Sequence, residues 1–103
     1  MSDKKNQILI VLSNVPYGKV TSYGAVAKMA GLPGHARMVG HVLKNLPEET
    51  TIPWHRVVNS QYKISFPVGS DKYISQEQLL KSESIAISNG KVKDGTCVWQ
   101  NDI

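Results

Sequence analysis

Residues 22–46, SYGAVAKMAGLPGHARMVGHVLKNL, decide the fold of this chain. Ser22 is a favourable N-cap residue, and the apolar residues after it recur at helical spacing, so the sequence predicts a helix over residues 23–30. Its inward face comprises Val26, Ala27 and Ala30. Gly31 and then Pro33-Gly34 end this helix in a short turn.

A second helix follows the turn and has two faces of opposite character. Its apolar residues fall within about 100° of one another around the helix axis. They are Val39, Val42, Leu43 and Leu46. The opposite side carries the basic residues Arg37, His41 and Lys44. Two helices joined by a short Gly/Pro turn, the second with a cationic outer face, predict a helix-turn-helix.

The segment before this pair predicts a further helix. Asp3 is a suitable cap, and the apolar residues Ile8, Val11, Leu12 and Val15 follow at helical spacing. Because several of these residues are β-branched, a strand remains the alternative. Pro16-Tyr17-Gly18 then breaks the chain.

The segments after the pair predict a further helix between short β-hairpins. Residues 57–64 surround Asn59-Ser60-Gln61 and predict a hairpin or wing. Ser75 with Gln78 forms a capping-box pattern for a helix through about Glu83. Residues 85–99 predict a hairpin with turn signals at Asn89-Gly90 and Asp94-Gly95. The expected fold is mainly α with small β-hairpins, a single winged helix-turn-helix-like domain over residues 1–103.

The composition excludes several classes of protein. The 103 residues are 41% apolar and 19% charged, which suits a globular domain, and the net charge of +4 suits a polyanionic partner. One cysteine and three scattered histidines predict neither a disulfide nor a metal or cofactor site. The longest apolar run, residues 8–12, is far below the ~20 residues that cross a bilayer. With no signal peptide, we expect a cytoplasmic protein.

The sequence Pro53-Trp54-His55-Arg56-Val57 resembles the active-site motif Pro-Cys-His-Arg-Val of DNA alkylguanine alkyltransferases. Tryptophan in place of the cysteine is typical of the alkyltransferase-like proteins. Residues 18–23, GKVTSY, are similar to the family's segment before its helix-turn-helix, and residues 36–40, ARMVG, to the start of its recognition helix. Trp54 follows Gly40 by fourteen positions, which is the family spacing. The resemblance covers roughly residues 15–83 and implies the fold of the C-terminal domain of DNA alkyltransferases, without their separate N-terminal domain.

The chemistry of Trp54 differs from that of the cysteine it replaces. Alkyl transfer needs a thiolate, which is a strong nucleophile at neutral pH. The indole nitrogen lone pair is delocalised into the ring and cannot accept an alkyl group in this way. Extruding a base costs a few kcal/mol, and aromatic contact returns ~1–3 kcal/mol per base. Trp54 is therefore predicted to contact a flipped base rather than to react with it.

The resemblance implies roles for the helix pair. Tyr23 matches the tyrosine that crowds the phosphate of the flipped nucleotide. Arg37 matches the arginine that fills the space left by the extruded base, where a planar guanidinium can stack and hydrogen-bond. Ala36 and Gly40 are small, which allows this helix to approach the narrow minor groove.

The remaining motif residues are expected to form a scaffold or a rim. His55 and Glu83 match a relay that activates the cysteine in active relatives, and here they form a retained hydrogen-bonded scaffold with Pro53. Arg56 is expected to bridge the wing as a structural charge. Ser65, Phe66 and Pro67 match the lip of the base pocket, although Pro67-Val68 replaces the family's tyrosine-serine pair. The candidate phosphate contacts are Lys19, Lys44 and Lys63, with Lys28 as a further lysine of this kind.

The leading hypothesis is a non-enzymatic sensor that binds O6-alkylguanine in double-stranded DNA by nucleotide flipping. The resemblance implies that such a protein flags lesions for nucleotide-excision repair, beginning with UvrA, and we expect it to act as a monomer. One alternative is a divergent alkyltransferase that uses Cys97 as acceptor, although no activating group is near it in sequence. The other is a winged-helix transcription regulator that reads the major groove.

Overall fold

The computed structural model describes residues 3–99 of the chain. Its helices are α1 (Asp3–Ser13), α2 (Tyr23–Met29), α3 (Ala36–Lys44) and α4 (Asp71–Ser82). Its short strands are β1 (Thr21–Ser22), β2 (Val57–Val58), β3 (Ile87–Ser88) and β4 (Lys91–Val92). Two 3₁₀ turns span Trp54–Arg56 and Gly95–Cys97. The predicted fold class, a mainly helical domain with short strands around a helix-turn-helix, is confirmed.

The helix-turn-helix is α2 and α3 packed on α1. The Ser22 hydroxyl accepts a hydrogen bond from the Ala25 amide at 3.2 Å and so caps α2 as predicted. One hydrophobic cluster joins the three helices; its fully buried members include Ile8, Leu12, Val26, Ala27 and Val39. The N-terminal segment is therefore a helix, and the strand alternative is wrong.

A second hydrophobic cluster joins α4 to the C-terminal segment. It comprises Val20, Ile64, Tyr73, Leu80, Ile85, Val92 and Cys97. The Val20 amide donates to the Cys97 carbonyl at 2.8 Å, and the Trp99 amide donates to the Val20 carbonyl at 2.7 Å. These bonds attach the C-terminal segment beside the residues that lead into β1 and α2.

The hairpin predicted at residues 57–64 is not formed. Instead, β2 pairs in parallel with β1, with Thr21 opposite Val57. Val57 and Val58 are both buried, so this run lacks the alternation of a two-faced hairpin strand. The Asn59 side chain accepts from the amides of Gln61 and Lys63, which closes a compact turn in place of a ladder.

The last helix begins earlier than the sequence indicates. Ser70, not Ser75, is its N-cap: the Ser70 hydroxyl accepts from the Tyr73 amide, while Ser75 is an exposed residue within α4. Gly69, with φ of +84°, directs the chain out of the preceding loop and places Ser70 at the cap.

Only one of the two predicted C-terminal turns forms a hairpin. β3 and β4 pair in antiparallel fashion around Asn89-Gly90, both with positive φ, as expected of this dipeptide. The Asp94 carboxylate accepts from the Thr96 amide and hydroxyl instead, so Asp94-Gly95 starts a 3₁₀ turn.

Candidate nucleic-acid interface

A cavity of about 280 Å³ lies where the end of α3, the Trp54–Arg56 turn and the start of α4 meet. Its aromatic and aliphatic lining comprises Tyr23, Leu43, Leu46, Pro47, Trp54, Val57 and Phe66. A cavity of about 150 Å³ accommodates a benzene ring. This cavity is nearly twice as large, so it has room for a bicyclic base. Leu43 and Leu46, which the sequence places on the apolar face of the second helix, are half-buried and contribute to its wall.

Trp54 is half-buried in the wall of this cavity. The Phe66 ring meets it edge to face, with centroids 6.2 Å apart and an interplanar angle of 84°. The His55 ring makes a similar contact at 6.1 Å and 87°. Aromatic pairs favour this edge-to-face geometry. The indole is thus held by its neighbours in a fixed orientation at the cavity.

Gln76, which is not among the residues predicted from the sequence, fixes the turn that carries Trp54. Its side-chain amide donates to the carbonyls of His55 and Val57, each at 2.9 Å, and the residue is fully buried. Tyr73, Gln76 and Leu80 are the buried residues of α4 and recur at helical spacing. A polar residue on that inward face is the signal that could have identified it.

Glu83 accepts hydrogen bonds from three directions. Its carboxylate lies 2.6 Å from His55 Nε2 and accepts from the Arg56 guanidinium at 2.9–3.1 Å and from the Gly18 amide at 2.8 Å. Burial acts to raise the pKa of Glu83, but the hydrogen bonds from Arg56, Gly18 and His55 outweigh it and lower the pKa to about 2. The carboxylate is therefore ionised at neutral pH. Arg56 also donates to the Val15 carbonyl, shortly after the end of α1. It therefore bridges Glu83 and Val15, and the prediction that it bridges the wing is wrong.

Tyr23 and Ser65 lie together at the rim of the cavity. Tyr23 is the first residue of α2 and lines the cavity, and its hydroxyl hydrogen-bonds the Ser65 hydroxyl. This bond joins the helix-turn-helix to the loop that was predicted as the lip. Phe66 of that loop lines the cavity, whereas Pro67 and Val68 are exposed and do not line it.

The outer face of α3 is basic and accessible. Arg37, His41 and Lys44 are exposed, as predicted. Within residues 3–99, no hydrogen bond or ion pair restrains the Arg37 side chain. A Cβ at Gly40 would meet nothing within 4 Å, so packing inside the domain does not require glycine there.

Not all of the predicted contact residues lie at the cavity. Lys44 lines it, whereas Lys19 donates from its ammonium to the Thr96 carbonyl near the C-terminal segment. Lys28 and Lys63 are exposed on other surfaces, and Lys63 pairs through its backbone with Lys91. Pro53 caps the turn that contains Trp54. The structure therefore groups Tyr23, Trp54, Ser65, Phe66 and Lys44, and leaves Lys19, Lys28 and Lys63 apart from them.

Cys97 does not line this cavity, and its surroundings differ from those of a reactive cysteine. It is buried in the second hydrophobic cluster, and its thiol donates to the Asp94 carbonyl at 2.9 Å. Burial and the nearby Asp94 carboxylate raise the pKa of the thiol, which opposes formation of the thiolate. These surroundings suit a structural cysteine.

Among residues 3–99, no group of three or more His, Cys, Asp or Glu side chains could hold a metal ion. In the same range, no helix has the length and apolar character to span a membrane.

A helix-turn-helix with a basic outer face, next to a cavity walled by the Pro-Trp-His-Arg-Val turn, defines a DNA-binding domain of the alkyltransferase class. Residues 3–85 match the sequence model of the 6-O-methylguanine DNA methyltransferase DNA-binding domain, and the chain belongs to this family.

Relatives and solved structures agree with this assignment. A DNA base-flipping protein of Vibrio parahaemolyticus is 50% identical over 95 residues, which cover 91% of this chain and 93% of that protein. Alkyltransferase-like protein 1 of Schizosaccharomyces pombe is 38% identical over 87 residues, which cover 84% of this chain and 81% of that protein. The crystal structure of S. pombe Atl1 in complex with damaged DNA containing O6-carboxymethylguanine superposes with a TM-score of 0.89 at 33% identity, covering 98% of each chain. Mycobacterium tuberculosis OGT in complex with DNA gives 0.68 at 31% identity, covering 81% of this chain and 50% of that one.

Proposed function

We propose that this protein binds alkylated double-stranded DNA, flips an O6-alkylguanine into the cavity beside Trp54, and holds it there without transferring the alkyl group. The observation that carries the proposal is Trp54 itself. By resemblance to the alkyltransferase motif it stands at the cysteine position, and it lines a cavity of about 280 Å³. The base-flipping protein and the DNA-bound Atl1 structure among its relatives support the same assignment.

The outer face of α3 supplies the DNA contact. Small residues at Ala36 and Gly40 let the helix approach the minor groove closely. The Arg37 guanidinium enters the stack and fills the space left by the extruded base. Tyr23, at the start of α2, crowds the phosphate of the flipped nucleotide, and Lys44 adds positive charge beside it.

The absence of alkyl transfer follows from the chemistry of the cavity wall. Transfer moves the alkyl group from the guanine O6 to a thiolate sulfur, and the wall presents an indole in that place. His55 and Glu83 remain as a hydrogen-bonded pair that positions the turn, with no thiol between them and the base. The buried thiol of Cys97, with its raised pKa, is a poor acceptor.

A protein that holds a lesion and does not repair it needs a second activity to remove it. We infer that the bound monomer presents the flipped nucleotide to nucleotide-excision repair, through a UvrA-type damage-recognition protein. The test is whether this protein increases UvrA retention on a lesion duplex; equal retention with and without it would contradict this step.

The primary experiment uses a duplex with one O6-methylguanine and the matching undamaged duplex. We expect preferential binding to the lesion, weaker binding at higher salt, and an unchanged intact protein mass. A mass increase of one methylene unit would mean alkyl transfer and would overturn the sensor function. Equal binding to both duplexes would favour a winged-helix regulator instead.

A further inference from the structure

The cavity beside Trp54 contains charged side chains in addition to its aromatic lining. Lys44, Glu48 and Lys72 all contribute to its wall, and two ammonium groups against one carboxylate leave the wall with a formal charge of +1. Lys44 lies at the end of α3, whereas Lys72 lies in the first turn of α4. Of these, Lys72 approaches the tryptophan most directly.

Lys72 is held over the face of Trp54. Its Nζ lies 4.6 Å from the centroid of the indole ring, a cation–π contact. The Phe66 and His55 rings stand nearly perpendicular to the same indole, at interplanar angles of 84° and 87°. The indole therefore contacts two aromatic rings and one ammonium group.

The charge of Lys72 is not neutralised by the protein. The ion pairs of His55 and Arg56 both converge on Glu83, and no carboxylate of the described residues lies within 4.0 Å of Lys72 Nζ. The α4 residue before it, Asp71, is exposed. A cation that is localised by an aromatic face but lacks a counter-ion can pair with an anionic group of a ligand.

We propose that Lys72 is a specificity-determining residue, which makes the cavity favour guanine O6 substituents that carry a negative charge, of the carboxyalkyl class. This inference rests on the proposed function, because it assumes that the flipped base enters this cavity. A substituent on O6 extends from the base into the cavity that receives it, and Trp54 and Lys72 both line that cavity. A carboxylate there gains a charge-assisted hydrogen bond that a neutral group of equal shape does not.

A DNA phosphate is the other anion that Lys72 could contact. That contact would strengthen binding to every duplex equally, since each flipped nucleotide has a phosphate. A carboxylate contact would instead change the ratio between two lesions that differ only in charge. The ratio of dissociation constants therefore distinguishes the two sources.

The experiment compares duplexes that contain O6-carboxymethylguanine or its neutral amide, O6-carbamoylmethylguanine. We expect the protein to bind the carboxylate about five- to tenfold more tightly than the amide. In Lys72→Met the preference should fall to about twofold or less, and Lys72→Arg should retain it because the charge is kept. Lys81→Met removes an equal charge from the exposed end of the same helix and should leave the preference unchanged.

An unchanged ratio in Lys72→Met would overturn the inference, and equal weakening of both lesions would assign Lys72 to a phosphate. These outcomes leave the proposed function intact, because both lesions would still bind better than undamaged DNA. If neither lesion binds better than the undamaged duplex, the proposed function and this inference both fail. Matched thermal unfolding midpoints show that the variants remain folded.

Discussion

His55 Nε2 lies 2.6 Å from the Glu83 carboxylate, although the motif contains no thiol for this pair to activate. The same carboxylate accepts from Arg56 and from the Gly18 amide. It thereby joins the turn that carries Trp54 to the end of α4 and to the loop before β1. The His55–Glu83 pair influences the cavity through these hydrogen bonds, because they fix the position of the turn that carries the indole.

Glu83→Gln should destabilise the protein by about 2–4 kcal/mol, because it leaves the half-buried Arg56 without its counter-charge. Denaturant unfolding at neutral pH measures the change. Glu77→Gln, on the same helix but outside this network, is the control and should stay within about 0.5 kcal/mol of the native protein. Equal stability of the two variants would show that the crosslink contributes little.

Acid should weaken the fold through the same carboxylate. The pKa of Glu83 is lowered from 4.5 to about 2, so the folded state favours its ionised form. Its contribution is complete above pH 4.5 and is lost as the pH falls from 4.5 towards 2. The unfolding free energy measured across this range should fall by roughly 2–3 kcal/mol more in the native protein than in Glu83→Gln. Parallel pH profiles would assign the acid sensitivity to other groups.

The helix-turn-helix could be predicted from sequence because its determinants are local. Ser22 caps α2 three residues from the amide it bonds, and the apolar and basic faces of α3 repeat with the helix itself. The wrong predictions concern contacts between segments that are far apart in the sequence. Val57-Val58 looks like one arm of a hairpin, but its partner is β1, thirty-six positions earlier, and both its side chains are buried.

The residues of the candidate site also differ in whether the sequence predicts them. Trp54, His55 and Glu83 could be identified because they belong to a motif with fixed spacing. Lys72 could not, because its place comes from a tertiary contact with the Trp54 turn, and Gln76 is indicated only by its polar side chain on the inward face of α4. Lysine on the first turn of a helix is ordinarily a solvated surface charge. Only the packing of α4 on that turn places its ammonium over the indole.

Replacing Trp54 should weaken lesion binding selectively. Trp54→Ala removes the aromatic face, and stacking of ~1–3 kcal/mol per base corresponds to a loss of about 5- to 150-fold. Trp54→Phe keeps an aromatic ring and should lose less than tenfold. Titration of lesion and undamaged duplexes measures both. If Trp54→Ala weakens both duplexes equally, the indole does not contact the flipped base.

Arg37→Ala should reduce affinity for the lesion duplex about tenfold or more, because the gap in the stack is then unfilled. Arg37 is exposed, so the unfolding free energy should change by no more than about 0.5 kcal/mol. Arg37→Lys keeps the charge but not the planar guanidinium, and it should restore binding only in part. Lys81→Ala is the matched charge control. Full binding by Arg37→Lys would reduce the role of Arg37 to a charge effect.

Gly40→Leu separates the requirements of the fold from those of DNA binding. Glycine within a helix costs about 0.5–1 kcal/mol relative to a good helix former, and a Cβ at Gly40 meets nothing within 4 Å. The variant should therefore unfold at a higher temperature than the native protein. We propose that the minor groove of DNA lies against this face of α3, so the added side chain should reduce affinity for lesion and undamaged duplexes about tenfold or more. Gly40→Ala, with one added methyl group, should share the gain in stability and lose much less affinity. A more stable Gly40→Leu protein with native affinity would mean that DNA lies against another surface.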